Sequence, residues 1–523
     1  MSEPQAPRPA TIRAVLDAQA AHHADAPFVI APEARCTLTY SDLAQQTRRL
    51  EAFLDARGIA RGERVALYLH NGYQTAALFI GMMAAGRVVA PLNLLSQRSQ
   101  LTWVLRHCAP RLVFTCAAHA GDLAAAMADV PDGPDTVVID IDDPGIFEAT
   151  APTASASRHD ALPDDIALLM YTSGTTGVPK GVMLSHANLL AGARAVADWH
   201  ALTPDDRVLS SLPLYHINGQ VIATLAPFVS GGSIVAPHRF SASQWWSLVE
   251  SNQCTWINMV PTIIAYLLNA AAGNPPRTFP SLRFGRSASA PLPPDHHKAF
   301  EAQFGVPVLE GMGMTECAST VFCNPHDGRR RSGSPGLPCG VEAGIIDAGG
   351  RPLGTGETGE IMLRGPNVMQ GYLGEPTKTA EAIDRQGWLR TGDLGYRDDD
   401  GFYYITGRLK ELIIKGGENI APREIDEALL RHPAILEAAA FAIPDPNYGQ
   451  EIAAAVILKP DVASSGDEIA AWCLAELGKY KTPRVIHLVD ELPKGPSGKV
   501  QRLKLVEMLG DLPTSGPDPR RSI

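Results

Sequence analysis

The sequence is poor in what would carry a chain into or across a membrane. No apolar run approaches the ~20 residues needed to span a bilayer. The first 28 residues are rich in Pro, Ala, His and acidic side chains and lack the basic-then-apolar order of a secretory signal. Basic charge is also short: 45 Lys and Arg against 56 Asp and Glu give a net charge of −11, which excludes broad nucleic-acid binding through phosphate neutralisation. The eight cysteines form no C-x-x-C pair and have no clustered His partners along the chain, so spacing predicts neither a disulfide framework nor a zinc site. A protein of the reducing cytoplasm is expected.

What is present is an ordinary globular composition, 45% hydrophobic and 19% charged, far from the profile of disorder. The 523 residues correspond to three or four modules of ~150 residues. Apolar residues Leu43, Thr47, Leu50, Phe53 and Leu54 predict a helix over 41–58, with Ser41 as cap and Gly58 as stop. Strands at 64–70, 88–92 and 111–115 alternate with a helix at 73–86, the rhythm of a parallel, doubly covered sheet. That rhythm recurs at 207–212, 233–236, 255–260 and 282–286, predicting a second such unit. After Asn324 the segment 335–371 turns rich in Gly and Pro, with short alternating runs that suit a small antiparallel β subdomain. A fresh α+β pattern runs from about Gly407 through Lys504, and the tail 510–523 shows no periodicity.

The sharpest local signal is Tyr171-Thr172-Ser173-Gly174-Thr175-Thr176-Gly177-Val178-Pro179-Lys180-Gly181, directly after an apolar strand at 166–170. Small residues let backbone N–H groups approach phosphate oxygens, the hydroxyls add donors, and Lys180 brings positive charge. The Walker pattern nearly fits from Gly174, but Pro179 stands where its second Gly belongs and Gly181 where its Mg²⁺-binding hydroxyl belongs. A different nucleotide loop is implied.

Further motifs follow in order: Met314-Thr315-Glu316, Trp388-Leu389-Arg390-Thr391-Gly392-Asp393, Gly407-Arg408-Leu409-Lys410-Glu411, Lys415-Gly416-Gly417-Glu418-Asn419-Ile420, and Leu492-Pro493-Lys494-Gly495-Pro496-Ser497-Gly498-Lys499. The ordered set, spanning about Thr37 to Leu505, resembles the adenylate-forming superfamily of acyl-CoA synthetases, stand-alone adenylation domains and firefly luciferases. The resemblance implies a large N-terminal domain, 1–407, of two doubly wound sheet subdomains plus a β-barrel-like subdomain at about 335–407. It also implies a hinge at 408–412 with Lys410 as pivot, and a small mobile α+β domain at 413–509.

The same resemblance implies an AMP-forming acid–CoA ligase that uses ATP, Mg²⁺ and CoA. It gives the phosphates to the loop 172–177 and Lys180, Mg²⁺ to Glu316, and phosphate or AMP contacts to Thr315. Ser289, Ala290, Glu310, Gly311, Met312 and Gly313 surround the nucleotide. Met312 stands where relatives carry an aromatic residue against adenine, and its polarizable sulfur can cover a ring face. Asp393 is suited to accept hydrogen bonds from both ribose hydroxyls, with Arg408 beside it in the nucleotide set. Lys499 would touch the substrate carboxylate and the α-phosphate, and Gly416 and Gly417 would wall the pantetheine tunnel.

For the acid, His216 matches a position that gates the acyl pocket, or is a satisfied loop histidine. Arg286, at the end of an apolar strand before Ser287, faces either that pocket or a structural carboxylate. Arg239, Met314, Cys317 and Val321 are pocket candidates with core or structural alternatives. Arg286 and an aromatic content of 6% favour a small polar or anionic acid of the oxalate, malonate or sulfoacetate kind, and the stretches 287–316 and 364–368 look like those of oxalate- and malonate-activating ligases. The alternatives are a ligase for medium-chain fatty or aryl acids, an adenylation enzyme loading a carrier protein, and a degenerate binding protein. No carrier-type serine motif follows Leu505. A homodimer is left open.

Overall fold

Leu43, Ala44, Thr47, Leu50 and Leu54 are buried on one face of a helix, Tyr40–Ala56. Its cap is Thr39 and not Ser41: the Asp42 N–H donates to the Thr39 hydroxyl, and the Thr39 N–H donates to the Asp42 carboxylate. Thr-x-x-Asp is a reciprocal capping box, which a lone Ser two residues on cannot match. Gly58, at φ +67°, ends the helix as expected. The next helix, Tyr73–Ala84, has all twelve residues buried, which its nearly continuous apolar sequence requires.

The computed structural model describes residues 8–150, 161–172, 179–460, 462–494 and 500–510. The chain forms two compact units, Met1–Ala343 with Leu363–Leu389, and Gly344–Met362 with Arg390–Ile523. The first holds two sheets. One has seven strands in the order Gly371–Tyr372, Lys180–Ser185, Ile166–Thr172, Val88–Pro91, Arg64–Tyr68, Leu112–Cys116, Asp135–Ile139. It is parallel from Ile166–Thr172 onward and antiparallel on the other side.

The other sheet has nine strands: Leu337–Pro338, Ser319–Cys323, Val308–Met314, Phe284–Ser287, Trp256–Met259, Arg207–Leu209, Ser233–Val235, Pro27–Ala31, Cys36–Thr39. Its centre is parallel. The register places Asn258 beside Arg286 and Arg286 beside Leu309, so these three share one face. The opposite face, with Ile257, Met259 and Val308, packs into a core with Trp245 and Phe300.

In the second unit, Leu389–Arg397 and Tyr403–Arg408 form an antiparallel hairpin, part of a four-stranded sheet with Glu342–Ile346 and Gly359–Arg364. The α+β pattern expected after Gly407 folds as a sheet in the order Glu418–Ile420, Ile413–Lys415, Gly449–Leu458, Ile435–Asp445, with Val485–Leu488 parallel to Gly449–Leu458. Ile425 and Leu429 of helix Pro422–Leu430 and Ile469 of helix Gly466–Lys481 fill its core. Among the described residues no helix is long and apolar enough to cross a membrane.

Candidate active site

In the first unit, Thr172 and Lys180 are directly paired across the antiparallel strands Ile166–Thr172 and Lys180–Ser185. The nucleotide motif therefore joins two strands, unlike a Walker loop, which opens a helix. Ser173, Gly174, Thr175, Thr176 and Gly177 lie outside the described residues. The Lys180 ammonium stands 4.6 Å from the ring centroid of Tyr372, and the Tyr372 hydroxyl donates to Glu316 Oε1 at 3.1 Å. A cation and a carboxylate far apart in sequence are thus held on one aromatic ring. Burial first, and the Glu316 carboxylate second, push the Tyr372 phenol well up, so it stays a donor. Sequence motifs missed Tyr372; its signal is the strand Gly371–Tyr372, which pairs with Lys180–Ser185.

Thr315 and Glu316 form a single 3₁₀ turn, Thr315–Cys317, after the strand Val308–Met314. The backbone around it is constrained. Ala318 and Ser319 follow at φ +45° and +91°, and Ser289 has φ +75°, conformations that cost a non-Gly residue on the order of 1–3 kcal/mol each. A strap at 366–369 holds the turn: the Met369 N–H donates to the Glu316 carbonyl at 2.8 Å, and Asn367 Nδ2 to the Cys317 carbonyl at 2.9 Å. Met312, Gly313, Met314, Thr315 and Glu316 are half-buried, while Cys317 and Val321 are fully buried. The buried Glu310 carboxylate accepts from the Leu292 N–H at 3.2 Å.

Arg286 is completely buried. Its Nη2 donates to the Thr320 hydroxyl at 2.8 Å, whereas Nε and Nη1 have no hydrogen-bond partner, and no carboxylate pairs with it among the described residues. None of the described residues supplies the structural carboxylate of the second reading. Gly311 passes over the guanidinium so closely that a Cβ there would lie 2.9 Å from Nη2. Burial, with Arg286 adding to it, keeps the neighbouring His200 far below its ordinary value and neutral.

Beside Arg286, Asn258 Nδ2 donates to Asn218 Oδ1 at 2.9 Å, and Asn218 Nδ2 donates to Ser289 Oγ at 3.1 Å. Asn258 Oδ1 and the Ser287 hydroxyl have no hydrogen-bond partner among the described residues. Asn218 and Asn258 were not singled out in the sequence, where nothing marks them. His216, half-exposed, sits two residues before Asn218, its N–H on the Pro213 carbonyl. Arg239 and Ala290 are exposed.

In the second unit the structure brings Asp393 and Arg408 together across the hairpin, Arg408 Nε lying 2.7 Å from Asp393 Oδ1. The turn before Asp393 is held by Glu360, which accepts from Arg390 Nε at 3.0 Å and from the Gly392 N–H at 3.1 Å. Glu360 was missed; a carboxylate in the apolar run Gly359–Arg364 was its only signal. Lys410 is exposed in the 3₁₀ turn Leu409–Glu411. Gly416 and Gly417, at φ +56° and +88°, make the two-residue turn between Ile413–Lys415 and Glu418–Ile420. Beneath it, Lys415 Nζ meets Glu451 Oε1 at 2.5 Å and the Tyr480 carbonyl at 2.7 Å. Lys499 lies outside the described residues.

The family described as AMP-binding enzyme matches residues 16–373, and the AMP-binding enzyme C-terminal domain matches residues 424–499. The chain belongs to the AMP-binding enzyme family. Its class is the one the motif order implied, an ATP-dependent, AMP-forming acid–CoA ligase. This AMP-binding enzyme is 52% identical over 503 residues to a sulfoacetate–CoA ligase of Cupriavidus necator, covering 95% of this chain and 97% of that one. It is 35% identical over 458 residues to an oxalate–CoA ligase of Arabidopsis thaliana, covering 85% and 88%. Among solved structures, ATP-bound MatB from Rhodopseudomonas palustris superposes with a TM-score of 0.88 at 31% identity, covering 96% of this chain and 99% of that one.

Proposed function

We propose that this ligase activates a short acid carrying a second anionic group, with sulfoacetate, oxalate and malonate as the candidate set. The observation that supports this reading is Arg286, a buried guanidinium whose Nε and Nη1 lack acceptors among the described residues. Leaving charged donors unsatisfied in a protein interior is costly, and the distal anion of such an acid supplies the missing acceptor in a planar, forked geometry. The names of the relatives, sulfoacetate– and oxalate–CoA ligase, agree with that chemistry.

In the first step a carboxylate oxygen of the acid attacks the α-phosphorus of ATP, the bond to pyrophosphate breaks, and acyl-AMP forms. In the second, the CoA sulfur attacks the acyl carbon, AMP leaves with the bonding pair, and the thiol proton passes to solvent. We assign phosphate contacts to the 172–177 loop, Lys180 and Thr315, ribose to Asp393 with Arg408, adenine cover to Met312, and the reacting oxygens to Lys499. Lys410 is the pivot between the two steps, Gly416 and Gly417 line the path of the pantetheine arm, and His216 borders the acid.

Glu316 is the residue that would hold Mg²⁺, since it presents a half-exposed hard oxygen donor steadied by the Tyr372 hydroxyl. Bound there, the ion would offset the charge that builds on the phosphates. A cytoplasmic setting fits eight free cysteines, seven of them buried.

The test is a panel of acids read by CoA-dependent AMP release. Sulfoacetate, oxalate or malonate should exceed acetate, hexanoate and benzoate in kcat/KM. A preference for the neutral-tailed acids removes the proposal.

A further inference from the structure

A second polar cluster lies in the first unit, apart from every residue given a role above. His70 follows the strand Arg64–Tyr68, Cys116 ends the neighbouring strand Leu112–Cys116, and His119, three residues beyond, stands at the N-cap of the helix Ala120–Met127. The strands are parallel, so their carboxyl ends bring the three side chains to one spot. The lone-pair atoms of His70, Cys116 and His119 all lie within 4.8 Å of one another. His70 Nδ1 is 3.3 Å from His119 Nε2 and 3.7 Å from Cys116 Sγ.

Those separations match the edges of a metal tetrahedron. With metal–nitrogen bonds of about 2.05 Å and metal–sulfur bonds of about 2.3 Å, tetrahedral ligands stand about 3.3 Å apart for N–N and about 3.6 Å for N–S. Two further contacts steady His70. His238, after the strand Ser233–Val235 of the other sheet, packs edge-on against His70 with ring centroids 5.0 Å apart, and its Nε2 lies 3.0 Å from Asp142 Oδ1. Thr75 Oγ1 fixes the His70 backbone by donating to its carbonyl at 2.6 Å. Cys116 is buried, while both histidines are half-exposed, so an ion can reach the cluster from solvent.

We propose that His70 Nδ1, Cys116 Sγ and His119 Nε2 form a binding site for a divalent d-block cation of the Zn²⁺ class, with solvent in the fourth position. Two imidazoles and one thiol suit Zn²⁺ and disfavour Mg²⁺, which demands oxygen ligands, so the Mg²⁺ that accompanies ATP does not compete here. On binding, the sulfur gives up its proton to solvent and the two imidazoles coordinate as neutral ligands. The ion cross-links two strands through residues 46 and 49 positions apart, and should stabilise the unit by favouring the folded state. The site is independent of the identity of the acid.

The experiment uses full-length protein stripped with a chelator and dialysed, then titrated with Zn²⁺ against a chromophoric competitor and separately with Co²⁺. Wild type should take up one Zn²⁺ per chain, rise in Tm on doing so, and give a near-ultraviolet thiolate-to-cobalt charge-transfer band. Cys116→Ser should lose that band, and both it and His119→Ala should lose more affinity than the roughly 10- to 100-fold that removal of an outer partner costs. Cys473→Ala, which removes a thiol of the second unit, should bind as wild type does. Absence of stoichiometric uptake by wild type overturns the proposal. So does uptake that neither Cys116→Ser nor His119→Ala weakens, because the ion then sits elsewhere.

Discussion

Arg286 and Lys415 are both cations sealed from solvent, and their surroundings differ in kind. Lys415 is 3% exposed and answered on every side: Glu451, the Tyr480 carbonyl, and the rings of Tyr480 and Tyr448 at 4.9 and 5.7 Å. Arg286 is 0% exposed and, among the described residues, its five N–H groups meet only the Thr320 hydroxyl and the Cys323 thiol, with Nε and Nη1 unanswered. A buried cation with a full set of acceptors holds the fold around it. One left with open donors carries a cost that a bound anion relieves. Lys180 lies between these cases, half-exposed and resting on one aromatic face.

The contrast can be broken most forcefully at Lys415. Lys415→Met strands the Glu451 carboxylate in the interior and should cost about 3–5 kcal/mol, read as a lower urea midpoint for the second unit. A midpoint equal to wild type would mean that partner count does not separate these cations.

Arg286→Met should leave the midpoint unchanged or raise it. Its effect belongs in catalysis: kcat/KM for the dianionic acid falls roughly 30-fold or more, while a neutral acid of equal length is spared. Equal losses for both acids would make Arg286 a structural residue.

A third way of burying a titratable group is to give up its charge, as His186 does. Burial, reinforced by Arg61 and opposed by Asp165, lowers it from 6.5 to about 4, and its Nδ1 accepts from the Ile12 N–H at 3.3 Å. The unfolded imidazole binds its proton first as pH falls, so the stability present at neutral pH is lost from 6.5 downward toward 4. The loss should reach about 2 kcal/mol by pH 5. Thermal unfolding as a function of pH should show this slope, flattened in His186→Asn.

The smallest effect sharpens the intermediate case. Tyr372→Phe keeps the ring under Lys180 and removes one donor from Glu316, worth about 1 kcal/mol, or about 5-fold in KM for Mg·ATP. Tyr372→Leu should add a further ~0.5–1 kcal/mol by removing the aromatic face. Identical KM values for the two variants would show that Lys180 gains nothing from the ring.

How much of this was legible depends on whether partners are close in sequence or only in space. Thr172 and Lys180, and Asp393 and Arg408, come from short motifs on single hairpins; all four residues were named from sequence, and the structure adds that they pair. The helix over 41–58 was legible, but its cap was not, because a reciprocal Thr39–Asp42 box competes with any hydroxyl nearby. Tyr372 beneath Lys180, Glu360 behind Asp393 and the Asn218–Asn258 bridge beside Arg286 join segments that only the sheets bring together. Cys116 and His119 stand three positions apart in the sequence, but His70 is far from them there: two helices and a strand, Tyr73–Ala84, Val88–Pro91 and Arg98–Cys108, separate the parallel strand ends that meet in space. For Arg286 the sequence left two readings level, because its neighbours Asn258, Gly311 and Thr320 come from other strands.

The nine-stranded sheet also sets a schedule for synthesis. Its strand Pro27–Ala31 pairs in parallel with Ser233–Val235, Val29 lying opposite Ile234. On a ribosome adding about 5–20 residues per second, the first hairpin must wait on the order of 10–40 s for that partner to be made. Throughout this interval the side of Pro27–Ala31 that later meets Ser233–Val235 is an open β edge, the kind of surface that recruits other chains. Expression yield should therefore respond to elongation rate and chaperone supply in a way that the stability of the finished enzyme does not reveal.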